Sequence, residues 1–257
     1  MQLEEIRALV AEDLQSVDQT IVQRLASDIV LVNQVSQYII GAGGKRLRPL
    51  SVVLAARACG HQGQKHIPAA AIIEFIHTAT LLHDDVVDGS DLRRGRNTAN
   101  HVFGNEASVL VGDYLYSRSF QMMVELGDLR IQEVMANATN TIAEGEVLQL
   151  MNAHDPETTE QRYLEVIYRK TAELFEAGAQ LAAVASGSPR EIEPALVVAQ
   201  RAGRFVELDG GGVEQRHDIG ECDIVRGGGP QSLRELGDAY GERVVAVGQR
   251  ERPFAGC

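Results

Sequence analysis

The residues best suited to chemistry are three aspartates that follow a largely apolar stretch. Residues 75–82 form that stretch, and Asp84, Asp85 and Asp88 come directly after it and His83. Because residues four apart share one face of a helix, Asp84 and Asp88 are expected to point the same way. Two carboxylates on one face repel each other unless a cation lies between them, and Mg²⁺ typically binds one or two carboxylates together with substrate phosphates. The spacing therefore predicts that Asp84 and Asp88 bind Mg²⁺ and a diphosphate, with a solvated acidic helix end as the alternative.

Two basic segments could bind the phosphate groups. Arg93 and Arg94 follow the aspartates closely, and a guanidinium can hold phosphate oxygens with two parallel hydrogen bonds. Earlier in the chain, Lys45 and Arg48 lie beside glycines just before Pro49, where a new helix is expected to begin. Helix N-termini attract anions, so this segment predicts a second diphosphate site. An exposed basic turn is the alternative explanation of this segment.

Two further residues are weaker candidates for phosphate binding. His77 precedes Asp84 by two helical turns and lies on roughly the same face. A single histidine on an apolar helix is more often a core residue, so His77 is a candidate only because of its charged neighbours. Lys170 lies on a later predicted helix, and its spacing alone favours an ordinary solvated lysine.

Composition and charge restrict the classes of function. The chain has 257 residues and a net charge of −12, so no nucleic acid is expected as a partner, because phosphate neutralisation needs a basic surface. The N-terminal residues lack the pattern of a secretory signal, and no apolar run is long enough to span a bilayer. The three cysteines are far apart and lack metal-site spacing, which fits a reducing compartment. We therefore expect a cytoplasmic protein without a transmembrane segment.

Helix periodicity dominates the first four-fifths of the chain. Apolar residues recur three and four apart, glycines and prolines separate the segments, and the alternation typical of strands is not found. The predicted helices cover residues 3–25 with one interruption, 30–40, 50–59, 68–88, 108–126, 131–151 and 159–185. In residues 205–257, by contrast, glycines are frequent and the periodicity fades. We therefore predict an all-α domain at residues 1–204 and a loosely ordered, glycine-rich tail at residues 205–257.

Four motifs occur in order along the chain. They are Gly43-Gly44-Lys45-Arg46-Leu47-Arg48-Pro49, His83-Asp84-Asp85-Val86-Val87-Asp88 with Arg93-Arg94-Gly95, Gly145-Glu146-Val147-Leu148-Gln149-Leu150, and Lys170-Thr171. Together they resemble the signatures of the trans-isoprenyl (polyprenyl) diphosphate synthases, in particular those that form octaprenyl products. The resemblance covers residues 1 to about 204. It implies an isoprenoid synthase-type helical bundle around a deep central cavity, normally a homodimer and in some members a heteromer.

The resemblance also implies a reaction and a role for each site residue. Such an enzyme condenses an allylic diphosphate, such as farnesyl diphosphate, with successive isopentenyl diphosphates. Mg²⁺ neutralises the charge on the departing diphosphate, so that the C–O bond ionises. By resemblance, Asp84 and Asp88 bind Mg²⁺, Asp85 supports them, Arg93, Lys170 and Thr171 hold the allylic diphosphate, and Lys45, Arg48, His77 and Arg94 bind isopentenyl diphosphate. The catalytic set is then Asp84, Asp85, Asp88 and Lys170.

The length of the product depends on residues that precede Asp84 on the same helix. Ala79 and Thr80 are small, Ile76 is of medium size, and Phe75 is the nearest aromatic residue. With nothing bulky one or two turns before the aspartates, we expect a long product, an octaprenyl chain, as the side chain of a quinone such as ubiquinone.

The sequence departs from the family after residue 204. Family members carry a second aspartate-rich motif on a later helix, whereas Asp209, Asp218 and Asp223 occur singly here. Half of the metal site is then expected to be missing, which would weaken or remove catalysis by this chain alone. Three hypotheses follow: an active polyprenyl transferase, a non-catalytic or defective helical subunit of the same family, and a metal-dependent phosphohydrolase that uses His83 and Asp84 with His61, His66 or His77.

Overall fold

The structure, a computed structural model, describes residues 2–41, 43–153, 155, 157–194 and 196–197. These residues form α-helices joined by short turns, with one small β-hairpin. In chain order the elements are α1 (Leu3–Ala8), α2 (Ala11–Leu25), α3 (Val30–Gly41), α4 (Leu47–Ala58), α5 (His66–Val87), β1 (Leu92–Arg93), β2 (Arg96–Asn97), α6 (Ala99–Phe103), α7 (Asn105–Leu126), α8 (Leu129–Asn152), α9 (Glu160–Ile167), a π-helical turn (Tyr168–Ala172) and α10 (Glu173–Ala185). The predicted all-α class is confirmed.

Helix α5 lies at the centre of the bundle, because α2, α4, α7 and α10 all pack against it. Several of its large apolar side chains, among them Phe75, Ile76 and Leu82, are 0–1% exposed. The alanines at positions 69–71 are also fully buried, and their small side chains let neighbouring helices approach closely. Burial of each large apolar side chain stabilises the fold by about 1.5–3 kcal/mol. The three aspartates are therefore attached to a helix that the core holds on several sides.

Most helix boundaries agree with the predicted ones, but the short helix α6 was not predicted and one predicted helix is divided. The interruption expected within residues 3–25 occurs at Leu9 and Val10. Residues 159–185, predicted as one helix, instead form α9, the π-turn and α10. Contacts with other elements stabilise the π-turn. For example, the Tyr168 hydroxyl donates to Glu176 Oε2 on α10 over 3.0 Å. A π-turn contains one extra residue, and the spacing of apolar residues in the sequence does not reveal it.

The β-hairpin directly after α5 was not expected from the sequence. Leu92 pairs with Asn97 and Arg93 with Arg96, in an antiparallel register. The two residues between the strands have positive φ angles, 52° at Arg94 and 73° at Gly95, which is the pattern that a type I′ turn requires. Strands of two residues are too short for alternation to be recognised.

The predicted tail at residues 205–257 lies outside the described residues, as do Asp209, Asp218 and Asp223. The division into residues 1–204 and 205–257 therefore stays a prediction. Among the residues that the structure describes, no helix combines the length and the apolar character needed to cross a membrane.

Candidate functional site

Asp84 and Asp88 lie at the C-terminal end of α5, as the sequence predicted. Asp88 caps the helix, and its backbone N–H donates to the Asp84 carbonyl over 2.8 Å. The Asp84 side chain is 13% exposed, and its Oδ2 lies 3.3 Å from Lys170 Nζ. Burial raises the pKa of Asp84, and the charge of Asp88 adds to this, while Lys170 acts in the opposite direction. A helix C-terminus carries partial negative charge, so carboxylates here call for a cation.

Glu146 on α8 is a site residue whose role the sequence did not predict. Its Oε2 accepts a hydrogen bond of 2.7 Å from Lys170 Nζ, so one lysine bridges Glu146 and Asp84. Burial raises the pKa of Glu146 to about 7, and the charges of Asp84 and Asp88 contribute. Asp84, Asp88, Glu146 and Lys170 are named here the acidic cluster. Glu146 belongs to one of the four motifs, but only its contact with Lys170 reveals what it does.

Lys170 reaches this position because α8 and the π-turn are in close contact. A Cβ atom at Gly145 would lie 2.7 Å from Arg169 Cβ and 3.1 Å from the Lys170 backbone nitrogen, so only glycine fits there. Burial alone would lower the pKa of Lys170, but the carboxylates of Asp84 and Glu146 outweigh it and the pKa is raised. Thr171, the next residue, is buried at 7% exposure.

Asp85 and Arg93 form a pair that attaches the hairpin to α5. The Asp85 side chain is fully buried, and its Oδ1 accepts hydrogen bonds from Arg93 Nε over 3.0 Å and from Arg93 Nη2 over 2.7 Å. Asn100 Nδ2 also donates to the Asp85 carbonyl over 3.2 Å. Asp85 thus differs from Asp84, because it is enclosed by the protein and holds Arg93 next to the acidic cluster.

The predicted basic segment and the tip of the hairpin lie against each other. Arg94 Nη1 donates to the Gly43 carbonyl over 2.9 Å, and a Cβ atom at Gly44 would lie 3.0 Å from the same nitrogen. Lys45 follows in this segment with an exposed side chain. Among the described residues, Arg46 and Arg94 are the non-glycine residues with positive φ, at 48° and 52°. Such backbone strain persists where the surrounding structure imposes it, and it is concentrated at functional sites.

Arg48 and His77 are in direct contact at the centre of the basic residues. Arg48 Nη1 lies 3.0 Å from His77 Nε2, and the Arg48 guanidinium carbon is 4.6 Å from the centre of the Phe175 ring. Burial holds the pKa of His77 well below its usual range, and the charges of Arg48, Arg93, Arg94 and Arg46 lower it further. The neutral ring therefore accepts a hydrogen bond from Arg48. Lys45, Arg48, His77 and Arg94 are named here the basic cluster; the role of Phe175 was not predicted.

The acidic cluster fits a divalent cation that is shared with a substrate. The pKa values of Asp84 and Glu146 are raised mainly by burial and further by neighbouring carboxylates, and Lys170 offsets this only in part. Mg²⁺ needs one or two carboxylates when phosphate oxygens and water complete its shell, and Asp84 with Asp88 can supply them. Within the described part of the chain, no group of three or more His, Cys, Asp or Glu side chains is arranged to hold a metal by itself.

The histidines do not support the phosphohydrolase hypothesis. His83 faces α7, where its Nε2 lies 3.1 Å from the Val109 carbonyl oxygen and 3.3 Å from Asp113 Oδ1. His61 and His66 instead pack edge to face against each other, with ring centres 5.0 Å apart. The proposed ligands are thus divided between separate places, so the phosphohydrolase hypothesis is not favoured.

Comparison with known proteins decides the family. The polyprenyl synthetase family model matches residues 29–205. The chain belongs to the polyprenyl synthetase family. It is 57% identical over 206 residues to octaprenyl diphosphate synthase of Escherichia coli, covering 80% of this chain and 63% of that protein. It is 48% identical over 192 residues to an all-trans-nonaprenyl-diphosphate synthase (geranyl-diphosphate specific) of Rhodobacter capsulatus, covering 74% of this chain and 59% of that protein. The chain thus spans less than two thirds of the length of these relatives.

Solved structures of the polyprenyl synthetase family have the same fold. A polyprenyl synthase from Caulobacter crescentus, complexed with calcium and isoprenyl diphosphate, matches with a TM-score of 0.77 and 43% identity over 81% of this chain and 64% of that one. A decaprenyl diphosphate synthase from Rhodobacter capsulatus matches with a TM-score of 0.78 and 44% identity over 86% of this chain and 72% of that one. The predicted family resemblance is therefore confirmed.

Three of the four residues expected to control product length lie in the core. Ile76 and Ala79 are fully buried, Phe75 is 1% exposed, and Thr80 is half-buried. The Thr80 hydroxyl donates to the His77 carbonyl over 2.9 Å, which joins this segment to the basic cluster. The predicted effect of these side chains on product length stays a prediction.

Proposed function

We propose that this chain is a trans-polyprenyl diphosphate synthase, which joins an allylic diphosphate to successive isopentenyl diphosphates. The observation that carries the proposal is the pair of oppositely charged clusters beside one helix, α5. The charge of Arg93 lowers the pKa of both Asp84 and His77, so it acts on both clusters. Such an arrangement suits two diphosphates side by side, one held through a cation and one held by bases.

The acidic cluster would bind the allylic diphosphate. Asp84 and Asp88 would hold Mg²⁺, which supplies positive charge at the departing diphosphate. The choice of Mg²⁺ agrees with the all-oxygen donor set, and the Caulobacter relative is complexed with another hard divalent cation, calcium. Lys170 and Thr171 would bind the phosphate oxygens. Arg93, which Asp85 holds next to the acidic cluster, would add positive charge at the same diphosphate.

The basic cluster would bind isopentenyl diphosphate. Arg94 and Arg48 contact neutral groups, the Gly43 carbonyl and the His77 ring, so these contacts do not cancel their positive charge. Lys45, exposed beside them, adds a flexible cation. With both diphosphates held side by side, the allylic C–O bond would break, the isopentenyl double bond would form the new C–C bond, and a proton would leave the isopentenyl unit. The protein contributes position and charge stabilisation.

The finer parts of the proposal concern the product and the assembly. An octaprenyl product for a quinone side chain, such as that of ubiquinone, agrees with the 57% identity to an octaprenyl diphosphate synthase and with small Ala79 and Thr80. We also propose a cytoplasmic homodimer, with a heteromer as the alternative assembly. These parts rest on family membership rather than on the site.

The proposal is tested by incubating the purified chain with Mg²⁺, farnesyl diphosphate and labelled isopentenyl diphosphate and measuring product length by chromatography. We expect an all-trans polyprenyl diphosphate that is absent with Asp84→Ala. Binding of both diphosphates without any product would contradict a catalytic role and favour the non-catalytic or defective subunit. No binding of either diphosphate would contradict the assigned site itself.

A further inference from the structure

Arg46 lies within the basic segment, between Lys45 and Arg48, but its side chain turns into the protein. It is 18% exposed, and its guanidinium forms an ion pair with Glu74, whose side chain is 9% exposed. Arg46 Nη2 also donates to the Ile40 carbonyl over 3.4 Å. One side chain of the basic segment therefore reaches both α5 and the end of α3.

The Arg46–Glu74 ion pair lies next to the Arg48–His77 contact of the basic cluster. Glu74 and His77 are three residues apart on α5, so they occupy neighbouring positions on one helix face. Arg46 contacts Glu74, and Arg48 contacts His77. The segment and the helix are thus joined at two successive points.

The backbone of Arg46 gives an independent reason to look for a role. Its φ of 48° and ψ of 39° lie in the left-handed region, where glycine would be free of strain. Two glycines precede it, at positions 43 and 44, yet position 46 carries a long charged side chain. A strained non-glycine residue is retained when its side chain is needed, and here that side chain is the one that reaches Glu74.

We propose that Arg46 and Glu74 form a positioning pair for diphosphate binding by the basic cluster. The pair does not touch the ligand. It holds the segment so that Arg48 lies against His77 and Lys45 projects outward. Because Glu74 is paired with Arg46, its negative charge is compensated next to the basic cluster. This inference rests on the proposed function, since the ligand of the basic cluster is taken to be isopentenyl diphosphate.

The test compares Glu74→Gln with Glu193→Gln. Glu193 is a matched control, because its side chain is 8% exposed and forms an ion pair of 2.6 Å with Arg130. Arg130 is a residue of α8 and belongs to neither cluster. Both variants lose a buried ion pair, so both are expected to lower the thermal unfolding temperature. Only Glu74→Gln is expected to weaken the binding of isopentenyl diphosphate, by about tenfold, because it removes a group that orients ligand-binding residues. Calorimetry measures this affinity.

A second variant keeps the test decisive if Glu74→Gln does not fold. Arg46→Lys retains the positive charge but loses the planar fork, so it is expected to bind isopentenyl diphosphate more weakly than the wild type and more tightly than Arg46→Ala. Equal affinity in the wild type, Glu74→Gln and Arg46→Lys would overturn the positioning role. Arg48→Ala distinguishes failure of the ligand site from failure of the positioning pair. If Arg48→Ala also leaves the affinity unchanged, the assigned ligand site is wrong. If Arg48→Ala alone weakens binding, the ligand site is supported and only the positioning pair is wrong.

Discussion

The acidic cluster and the basic cluster lie beside the same helix but are neutralised in different ways. In the acidic cluster, Lys170 is a cation shared by Asp84 and Glu146, and the pKa of each carboxyl group remains raised by burial. In the basic cluster, Arg48 contacts a neutral histidine and Arg94 a backbone carbonyl. Two carboxylates of the acidic cluster thus share a cation within the protein, whereas the contacts of Arg48 with His77 and of Arg94 with Gly43 involve neutral groups.

Arginines close together in these motifs have different contacts. Arg46 and Arg93 have buried carboxylate partners, Glu74 and Asp85, and connect the basic segment and the hairpin to α5. Their neighbours Arg48 and Arg94 contact the His77 ring and the Gly43 carbonyl. We propose that Arg93 both attaches the hairpin and binds the allylic diphosphate, whereas Arg46 only anchors the basic segment.

The largest expected effect is that of Asp84→Asn, which removes charge from the acidic cluster alone. Without this carboxylate the metal is held by Asp88 with little support, so transition-state stabilisation is lost. We expect product formation to fall by about a hundredfold to a thousandfold. Asp28→Asn, an exposed aspartate away from both clusters, is the control and should leave the rate unchanged. A similar rate in Asp84→Asn would show that the acidic cluster is not the metal site.

Lys170→Met removes the internal cation and should affect the two ligands of the acidic cluster in opposite directions. Charge-assisted hydrogen bonds to the diphosphate are lost, which weakens farnesyl diphosphate binding by about tenfold to a hundredfold. Mg²⁺ alone should bind more tightly, because no lysine competes for Asp84 and Glu146. Calorimetric titration measures both affinities, with exposed Lys65→Met as the control. Weaker binding of Mg²⁺ would contradict the described balance of charge.

Gly145→Ala tests the contact that brings Lys170 to the acidic cluster. The added Cβ would meet Arg169 Cβ at 2.7 Å, so the π-turn must move, at an expected cost of about 1–3 kcal/mol in the free energy of unfolding. Denaturant unfolding measures this cost. Gly41→Ala on α3 is the matched control, because nothing lies within 4 Å of its added Cβ, and it should be neutral or slightly stabilising. An unchanged unfolding free energy in Gly145→Ala would argue against the close contact.

The smallest expected effect concerns pH and the basic cluster. The folded protein keeps His77 neutral, because burial and the surrounding arginines lower its pKa below the ordinary value of 6.5. Below that pH the unfolded chain takes up a proton at His77 that the folded chain does not. The contribution of His77 to stability is therefore complete above about pH 6.5 and is lost as the pH falls toward the folded-state pKa.

The contribution of His77 is measured by urea unfolding at pH 7.5 and pH 5.5 in the wild type and in His77→Gln. The variant should lose about 1 kcal/mol less than the wild type between these values, since one pKa unit corresponds to about 1.4 kcal/mol. His101→Gln, at an exposed histidine, is the control and should behave like the wild type. An identical loss in His77→Gln would mean that the ring is not held neutral.

Much of the fold could be predicted because it depends on local patterns. Helices such as α3 and α8 follow from apolar spacing and from the glycines and prolines that separate segments. The clustering of Arg48 with His77 and of Lys170 with Asp84 was also expected, but from the resemblance of ordered motifs rather than from spacing.

The rest could not be predicted because it depends on contacts between residues far apart in the chain. The π-turn is held by side chains from α8 and α10, and the hairpin consists of strands too short to form a pattern. Glu146 and Phe175 acquire their roles only when α8 and α10 pack beside α5. Burial also distinguishes adjacent residues, since Asp84 and Asp85 have the same side chain but only Asp85 is fully enclosed.

The most direct test of the account is the affinity of the wild-type chain for farnesyl diphosphate, measured by calorimetry with Mg²⁺ and with a chelator. This ligand is proposed to bind at the acidic cluster, where carboxylates repel a diphosphate unless a divalent cation lies between them. We therefore expect binding in the presence of Mg²⁺ and a loss of affinity of at least about a hundredfold in the chelator. Equal affinity under both conditions would contradict the assignment of Asp84 and Asp88 as metal ligands.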